Sequence, residues 1–325
     1  MYGPPVPIDK KKSLYADLIL LICALIWGGD YPITKGALDY VSPLFMNGIR
    51  FTIAFFIMAA MFPRRTFSIR LPDLVPGLFL GITMFGAFTF HTIGLKFTMS
   101  GTAAFLTATY VVFVPFIMWF IERKFPGLDS ILSSALCVLG VYLLTGTEQA
   151  SFGKGELLTL VSAVFFALNI ISAGYFAKRT DPIKMTLVET GLSALLFMGS
   201  AVIFEPVSIV VNATSVSAMA YLIILGTLGT HLVANTAMRY TPETHASISF
   251  SLEAVFALIL GVLFLDDAFS PLMLAGCAII FGSVLTTELE PVRRLGKRLF
   301  GRGKRAELTG TAPPASSGSG GEPRE

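Results

Sequence analysis

Gly94-Leu-Lys-Phe-Thr opens the stretch that decides the fold. It runs through a small-residue segment into Leu106-Thr-Ala-Thr-Tyr110-Val-Val-Phe113-Val-Pro115, then Trp119-Phe-Ile-Glu122-Arg123-Lys124. A second copy begins about 143 residues later: Ala237-Met-Arg-Tyr-Thr, then His245-Ala-Ser-Ile-Ser-Phe-Ser-Leu-Glu253-Ala-Val-Phe256, then Gly261-Val-Leu-Phe-Leu-Asp266-Asp267. Lys96 falls on Arg239, Thr98 on Thr241, Ala103 on Ala246, Tyr110 on Glu253 and Phe113 on Phe256. An internal repeat of this length dictates the architecture, so the rest of the chain is read against it.

Of the 325 residues, 54% are hydrophobic and only 14% charged. A soluble core cannot hide that much apolar surface. Apolar runs of about 20 residues recur, long enough to cross a bilayer. They are uniformly apolar rather than alternating, which selects helices over a β-barrel. The class is therefore an all-α polytopic membrane protein embedded in the lipid bilayer. Cys23, Cys137 and Cys277 all fall inside the runs, without a Cys-x-x-Cys or Cys/His cluster, so neither a disulfide frame nor a metal site is expected. The net charge of +3 gives no reason to expect nucleic-acid binding.

Residues 1–13 form a short segment ending in Lys10-Lys11-Lys12. The run that follows is longer than a signal peptide and closes on no cleavage site, so it reads as a retained span. Spans are expected at 14–36, 43–62, 72–95, 98–121 and 128–145, then at 153–177, 182–204, 216–238, 243–265 and 269–287. That gives ten transmembrane helices in two repeats, 14–146 and 153–287, and a tail, 288–325, basic at first and then Gly/Ser/Pro-rich and disordered. Inner segments would hold Lys10–Lys12, Arg64, Arg65, Arg70, Arg123, Lys124, Lys178, Arg179, Lys184, Arg239 and the basic tail; outer segments hold only Lys35, Lys96 and Lys154. Both termini are then cytoplasmic. Five spans per repeat force the second copy upside down, an inverted-repeat design whose substrate site sits where the halves meet.

The repeat extends beyond the opening stretch. At an offset of about 139, Ala24 falls on Ala163, Trp27 on Phe166, Asp30 on Asn169 and Arg50 on Glu189; Gly86 falls on Gly229 and Gly140 on Gly282. The glycines are read as points of close helix approach.

Trp27-Gly-Gly-Asp-Tyr-Pro-Ile-Thr-Lys35 with Pro43 and Arg50 resembles the opening of the EamA branch of the drug/metabolite transporter superfamily. Phe105 to Pro115 with Glu122-Arg123 is similar to its fourth span, and Leu252-Glu-Ala-Val-Phe-Ala to Leu265-Asp266 is similar to its ninth. The resemblance covers about 15–287 and implies a ten-span inverted repeat that exports or exchanges small metabolites, an exporter of the cell membrane with no cofactor. Ala254 stands where the family often has proline, and Asp266 replaces the usual glutamate.

Ionisable groups within spans face the bundle interior or a water-filled cavity. Asp30 and Arg50 each lie roughly 9–10 Å below the outer surface at 1.5 Å per residue, a matched depth that allows an ion pair. Such a pair is either a bridge between the first two spans or an outer gate and anchor for a substrate carboxylate. Lys35 sits at the outer boundary, where it can snorkel into water. Asn169 and Glu189 are expected near the inner face. Glu253 lies near mid-bilayer with Tyr110 as its repeat partner; desolvation there disfavours the charged carboxylate, which suits proton coupling, cation binding or a neutral structural acid. His91 and His231 are read chiefly as packing residues, with His231 also an inner-side polar candidate. Trp27, Phe113 and Phe256 are candidates to line the cavity, against a plain packing role.

The leading function is secondary transport of a small-molecule substrate, amino acids or related compounds, with protons as candidate coupling ion. No Gly-x-x-x-x-Gly-Lys-Ser/Thr run is present, so nucleotide hydrolysis by this chain is not expected. The competing classes are an intramembrane enzyme using His91 or His231, and a lipid-scrambling or structural protein; neither histidine comes with a nucleophile elbow or acid pair. The chain is expected not to be an enzyme.

Overall fold

A backbone in hydrocarbon must satisfy its own N–H and C=O groups, and helices do this within one segment. The computed structural model describes residues 10–123, 125, 128–145, 153–265 and parts of 271–283. Its helices are α1 (Lys10–Ala37), α2 (Pro43–Met61), a single turn α3 (Pro63–Thr66), α4 (Leu71–Phe97), α5 (Ser100–Ala108), α6 (Tyr110–Glu122) and α7 (Leu128–Thr145). The second half contributes α8 (Lys154–Ala177), α9 (Pro182–Phe204), α10 (Ala213–Ile223), a π-helical segment Ile224–Gly229, α11 (Thr230–Ala237) and α12 (Glu243–Leu265). No strand occurs among the described residues, only an isolated bridge between Val41 and Ile209.

Eight helical stretches are long and apolar enough to cross a membrane, counting α5 with α6 as one and α10 to α11 as one. α7 adds a further helix of 18 residues. Much of the expected tenth span, the Asp266-Asp267 end, Lys124, residues 1–9 and the basic tail lie outside the described residues. Large apolar side chains such as Phe120, Leu195, Val202 and Phe204 are exposed, while Arg50, Glu189 and Glu253 are buried. That distribution suits a molecule with lipid around it and a polar interior.

Helix starts follow local chemistry. Pro43 and Pro182 sit at first-turn positions, where a missing N–H costs nothing. Asp181 accepts from Ile183 N at 3.1 Å, and Asn212 and Ser215 cap reciprocally at 2.8 and 3.0 Å. Glu205 Oε1 accepts from Phe45 N at 2.7 Å, so the loop after α9 caps α2.

The two halves interlock rather than abut: α1 packs on α12, α2 on α9, and α4 on both α8 and α9. Glycines permit these approaches. A Cβ at Gly28 would stand 2.6 Å from Phe256 Cβ, one at Gly81 2.9 Å from Leu192 Cβ, and one at Gly86 2.6 Å from the Phe165 ring. At Gly282 no atom of the described residues lies within 4 Å of where a Cβ would stand.

Two spans are interrupted, and each break has a cause. Thr109, between α5 and α6, turns its hydroxyl back to Leu106 O at 2.6 Å. Downstream, Pro115 cannot donate to Val111 O, and Ser134 Oγ of α7 fills that vacancy at 3.2 Å. The π segment loosens the middle of α10–α11, a form found mostly at functional sites. α12, by contrast, runs unbroken through Ala254.

Candidate functional site

The π segment lies where three side chains converge on one backbone carbonyl. Gly226 O accepts from Arg50 Nη2 at 2.9 Å, Trp27 Nε1 at 3.1 Å and Thr230 Oγ1 at 2.8 Å. Arg50 also donates through Nε to Thr227 Oγ1 and through Nη2 to Asp30 Oδ2 at 2.6 Å. The ion pair that matched depth allows is thus formed, with Arg50 only 1% exposed. A Cβ on Gly226 would strike Asp30 Oδ1, so this approach requires glycine.

The repeat-equivalent residues form a second cluster. Asn169 Nδ2 lies 3.2 Å from Glu189 Oε1, 3.1 Å from Thr83 Oγ1 and 3.2 Å from Leu80 O. Asn235 Nδ2 reaches Glu189 Oε2 at 2.7 Å and Thr186 Oγ1 at 3.0 Å. Thr83 is the repeat equivalent of Gly226, so each cluster binds the same point of the opposite half. Thr186 and Asn235 are likewise equivalent to Asn47 and Thr92, whose side chains are hydrogen-bonded at 2.9 Å with donor and acceptor exchanged.

Between the clusters is a cavity of about 70 Å³. Its wall consists largely of repeat-equivalent pairs: Trp27 with Phe166, Asp30 with Asn169, Tyr31 with Ile170, Phe88 with His231, His91 with Ala234, Thr107 with Phe250, and Tyr110 with Glu253. Met84, Asn235 and Met238 complete it. The break at Thr109 places Tyr110 at the start of α6, where its hydroxyl donates to Glu253 Oε1 at 3.1 Å. Tyr31 OH donates to the same oxygen at 3.3 Å. Both nitrogens of His91 and Nε2 of His231 are buried without a hydrogen-bond partner among the described residues.

Some placements differ from the sequence expectations and others take the packing alternative. Phe113 and Phe256 take the packing alternative, lying against the apolar core and outside the cavity lining. Lys35 does not snorkel; its Nζ donates to Leu95 O at 2.7 Å and Thr98 O at 2.9 Å, capping the C-terminal end of α4. Asn169 and His231 stand on the same wall as Asp30 and Glu253, not in a separate inner group, because α8 and α11 carry them to the cavity. His91 and His231 are buried as packing residues are, yet carry unsatisfied nitrogens.

Trp27 is both wall and hydrogen-bond donor. Tyr31, Asn235, Phe88 and Phe250 were not singled out by sequence. Tyr31 adjoins Asp30 in the opening motif, and Asn235 pairs with Thr92 under the repeat, so both had a readable signal. Among the described residues no group of three or more His, Cys, Asp or Glu is arranged to hold a metal.

Comparison with known proteins agrees with this architecture. The EamA-like transporter family model matches twice, over residues 14–146 and 153–288. An uncharacterized transporter of Archaeoglobus fulgidus is 30% identical over 86% of this chain and 88% of its own length. An S-adenosylmethionine/S-adenosylhomocysteine transporter of Chlamydia trachomatis is 24% identical, covering 84% and 93%. A probable amino-acid metabolite efflux pump of Escherichia coli is 25% identical, covering 81% and 91%. A solved crystal structure superposes with a TM-score of 0.70 at 20% identity, over 86% of this chain and 98% of the other, a likeness of fold. With its two matched halves, the chain belongs to the EamA-like transporter family, within the drug/metabolite transporter superfamily.

Proposed function

We propose that this protein is a secondary transporter that exports small organic metabolites across the cell membrane. The observation that carries the reading is the cavity itself, walled by equivalent residues of both halves, with the Glu253 carboxyl buried against two tyrosine hydroxyls. Binding at the meeting point of two repeats lets one site face either side as the halves rock. Two relatives are named as a transporter of S-adenosylmethionine/S-adenosylhomocysteine and as a probable amino-acid metabolite efflux pump, which supports a small organic molecule as substrate here.

The two halves are proposed to be inverted, ten spans in all, with both termini cytoplasmic, as the distribution of basic residues favours. Proton coupling is assigned to Glu253, whose exposure to alternate sides would link its protonation to substrate movement. The enzyme alternative is disfavoured because His91 and His231 Nε2 hold no hydroxyl or carboxyl partner, which an activated nucleophile needs.

A metabolite-wide export screen in an overexpressing strain, followed by counterflow of the labelled hit in proteoliposomes, tests the reading. Counterflow dependent on the protein is expected; conversion of the compound without its movement would replace transport by enzymology. A reporter fused after Arg305 should be active only on the cytoplasmic side, and activity confined to the periplasm would overturn the orientation.

A further inference from the structure

We infer that the cavity selects an organic cation with a flat apolar part, in preference to a zwitterionic amino acid or an organic anion. This rests on the transport reading for the site and narrows its substrate. Four observations converge. First, the wall is aromatic: Trp27, Tyr31, Phe88, Tyr110, Phe166 and Phe250 surround the space, with Trp27 and Phe250 ring centroids 5.0 Å apart. Aromatic faces attract ammonium and sulfonium groups through their quadrupole. The Phe88 ring already carries a cation, the Arg50 guanidinium, at 4.8 Å.

Second, the wall holds two carboxyl groups, Asp30 and Glu253, and no lysine or arginine. Arg50 stands behind the wall and is committed to Asp30, Gly226 O and Thr227. It neutralises Asp30, and the hydrogen bonds to Glu253 come from tyrosine hydroxyls. A substrate carboxylate would therefore lose its water beside a second acid, with no cation to receive it, which is costly.

Third, the buried polar atoms lacking partners include acceptors. Among the described residues Asp30 Oδ1 has none, nor has either nitrogen of His91, nor His231 Nε2. A neutral imidazole offers one lone pair and one N–H, so His91 presents one acceptor and one donor, and Asp30 Oδ1 is a further acceptor for a substrate N–H. Fourth, about 70 Å³ is well below the several hundred of a drug-sized site, so the cavity in this closed form takes a compact cationic head, and the flat part enters as the halves rock apart.

The test uses the purified full chain in detergent micelles and four phenyl compounds of similar shape: 2-phenylethylamine (cation), 2-phenylethanol (neutral), phenylalanine (zwitterion) and 3-phenylpropionate (anion). Calorimetric titration should find the amine bound at least about tenfold more tightly than the alcohol, with the zwitterion and the anion weaker than either, as expected for a desolvated cation–π and carboxylate site. Glu253→Gln should weaken the amine by about tenfold and leave the alcohol within about twofold; the ratio within one preparation separates lost charge recognition from misfolding. Glu253→Asp, which keeps the charge, should preserve the preference. An amine bound no better than the alcohol, tighter binding of the anion or zwitterion, a ratio unchanged in Glu253→Gln, or no binding of any of the four would each overturn the inference. An amine that binds with Glu253 dependence but is not moved in proteoliposomes would uphold the cation preference and sink the transport reading.

Discussion

The two polar clusters occupy equivalent positions in the repeat and solve the same burial problem with opposite chemistry. In the first, a guanidinium on α2 meets a carboxylate on α1; in the second, a carboxylate on α9 meets an amide on α8. A guanidinium carries five donors and no acceptor, so burying it demands more oxygen than Asp30 alone provides. The π segment supplies Gly226 O. All three donors to that carbonyl disappear in the other copy: Trp27 becomes Phe166, Arg50 becomes Glu189 and Thr230 becomes Ala87. There the equivalent helix, α4, runs regularly through Thr83. The helix form therefore follows the side chains packed against it.

The strongest way to break this comparison is to remove one charge. Arg50→Gln leaves Asp30 buried without its cation and should destabilise the fold by roughly 3–5 kcal/mol, seen as loss of monodisperse protein and a lower melting temperature in detergent. Adding Asp30→Asn should recover part of that loss. A single mutant as stable as the parent would mean the pair is incidental.

Copying the first cluster into the second sharpens it. Asn169→Asp with Glu189→Arg reproduces the ion pair opposite a helix without a π segment. The expected cost is about 1–3 kcal/mol from unsatisfied guanidinium donors, read by thermal melting. A variant at parental stability would show that the π segment is not needed to bury an arginine. The smallest effect belongs to Trp27→Phe, which makes the first half resemble the second. Gly226 O keeps two of its three side-chain donors, so a loss of about 1 kcal/mol is expected. A collapse of the fold instead would make the indole N–H the organiser of the cluster.

How much of this was legible before any coordinates follows from the range over which each signal acts. Span positions came through to within a few residues, as at α9 and α12, because apolar length and capping residues are local. The repeat gave the Tyr110–Glu253 meeting, and matched depth gave Asp30–Arg50. The π segment was not legible: its cause is donors arriving from α1 and α2. Lys35 was misread for a similar reason, since nothing near it in sequence reveals the carbonyls at the end of α4. Phe113 and Phe256 belong to the apolar core, and aromatic character alone does not separate a core position from a cavity wall.

The claim at the centre is that Glu253 couples proton movement to transport through the cavity. Glu253→Gln keeps the shape of the protonated acid and should fold and insert like the parent. In proteoliposomes, pH-driven accumulation of the screened substrate should be lost, while exchange at saturating concentration remains in part. Undiminished pH-driven accumulation by Glu253→Gln would contradict the account and return Glu253 to a structural role.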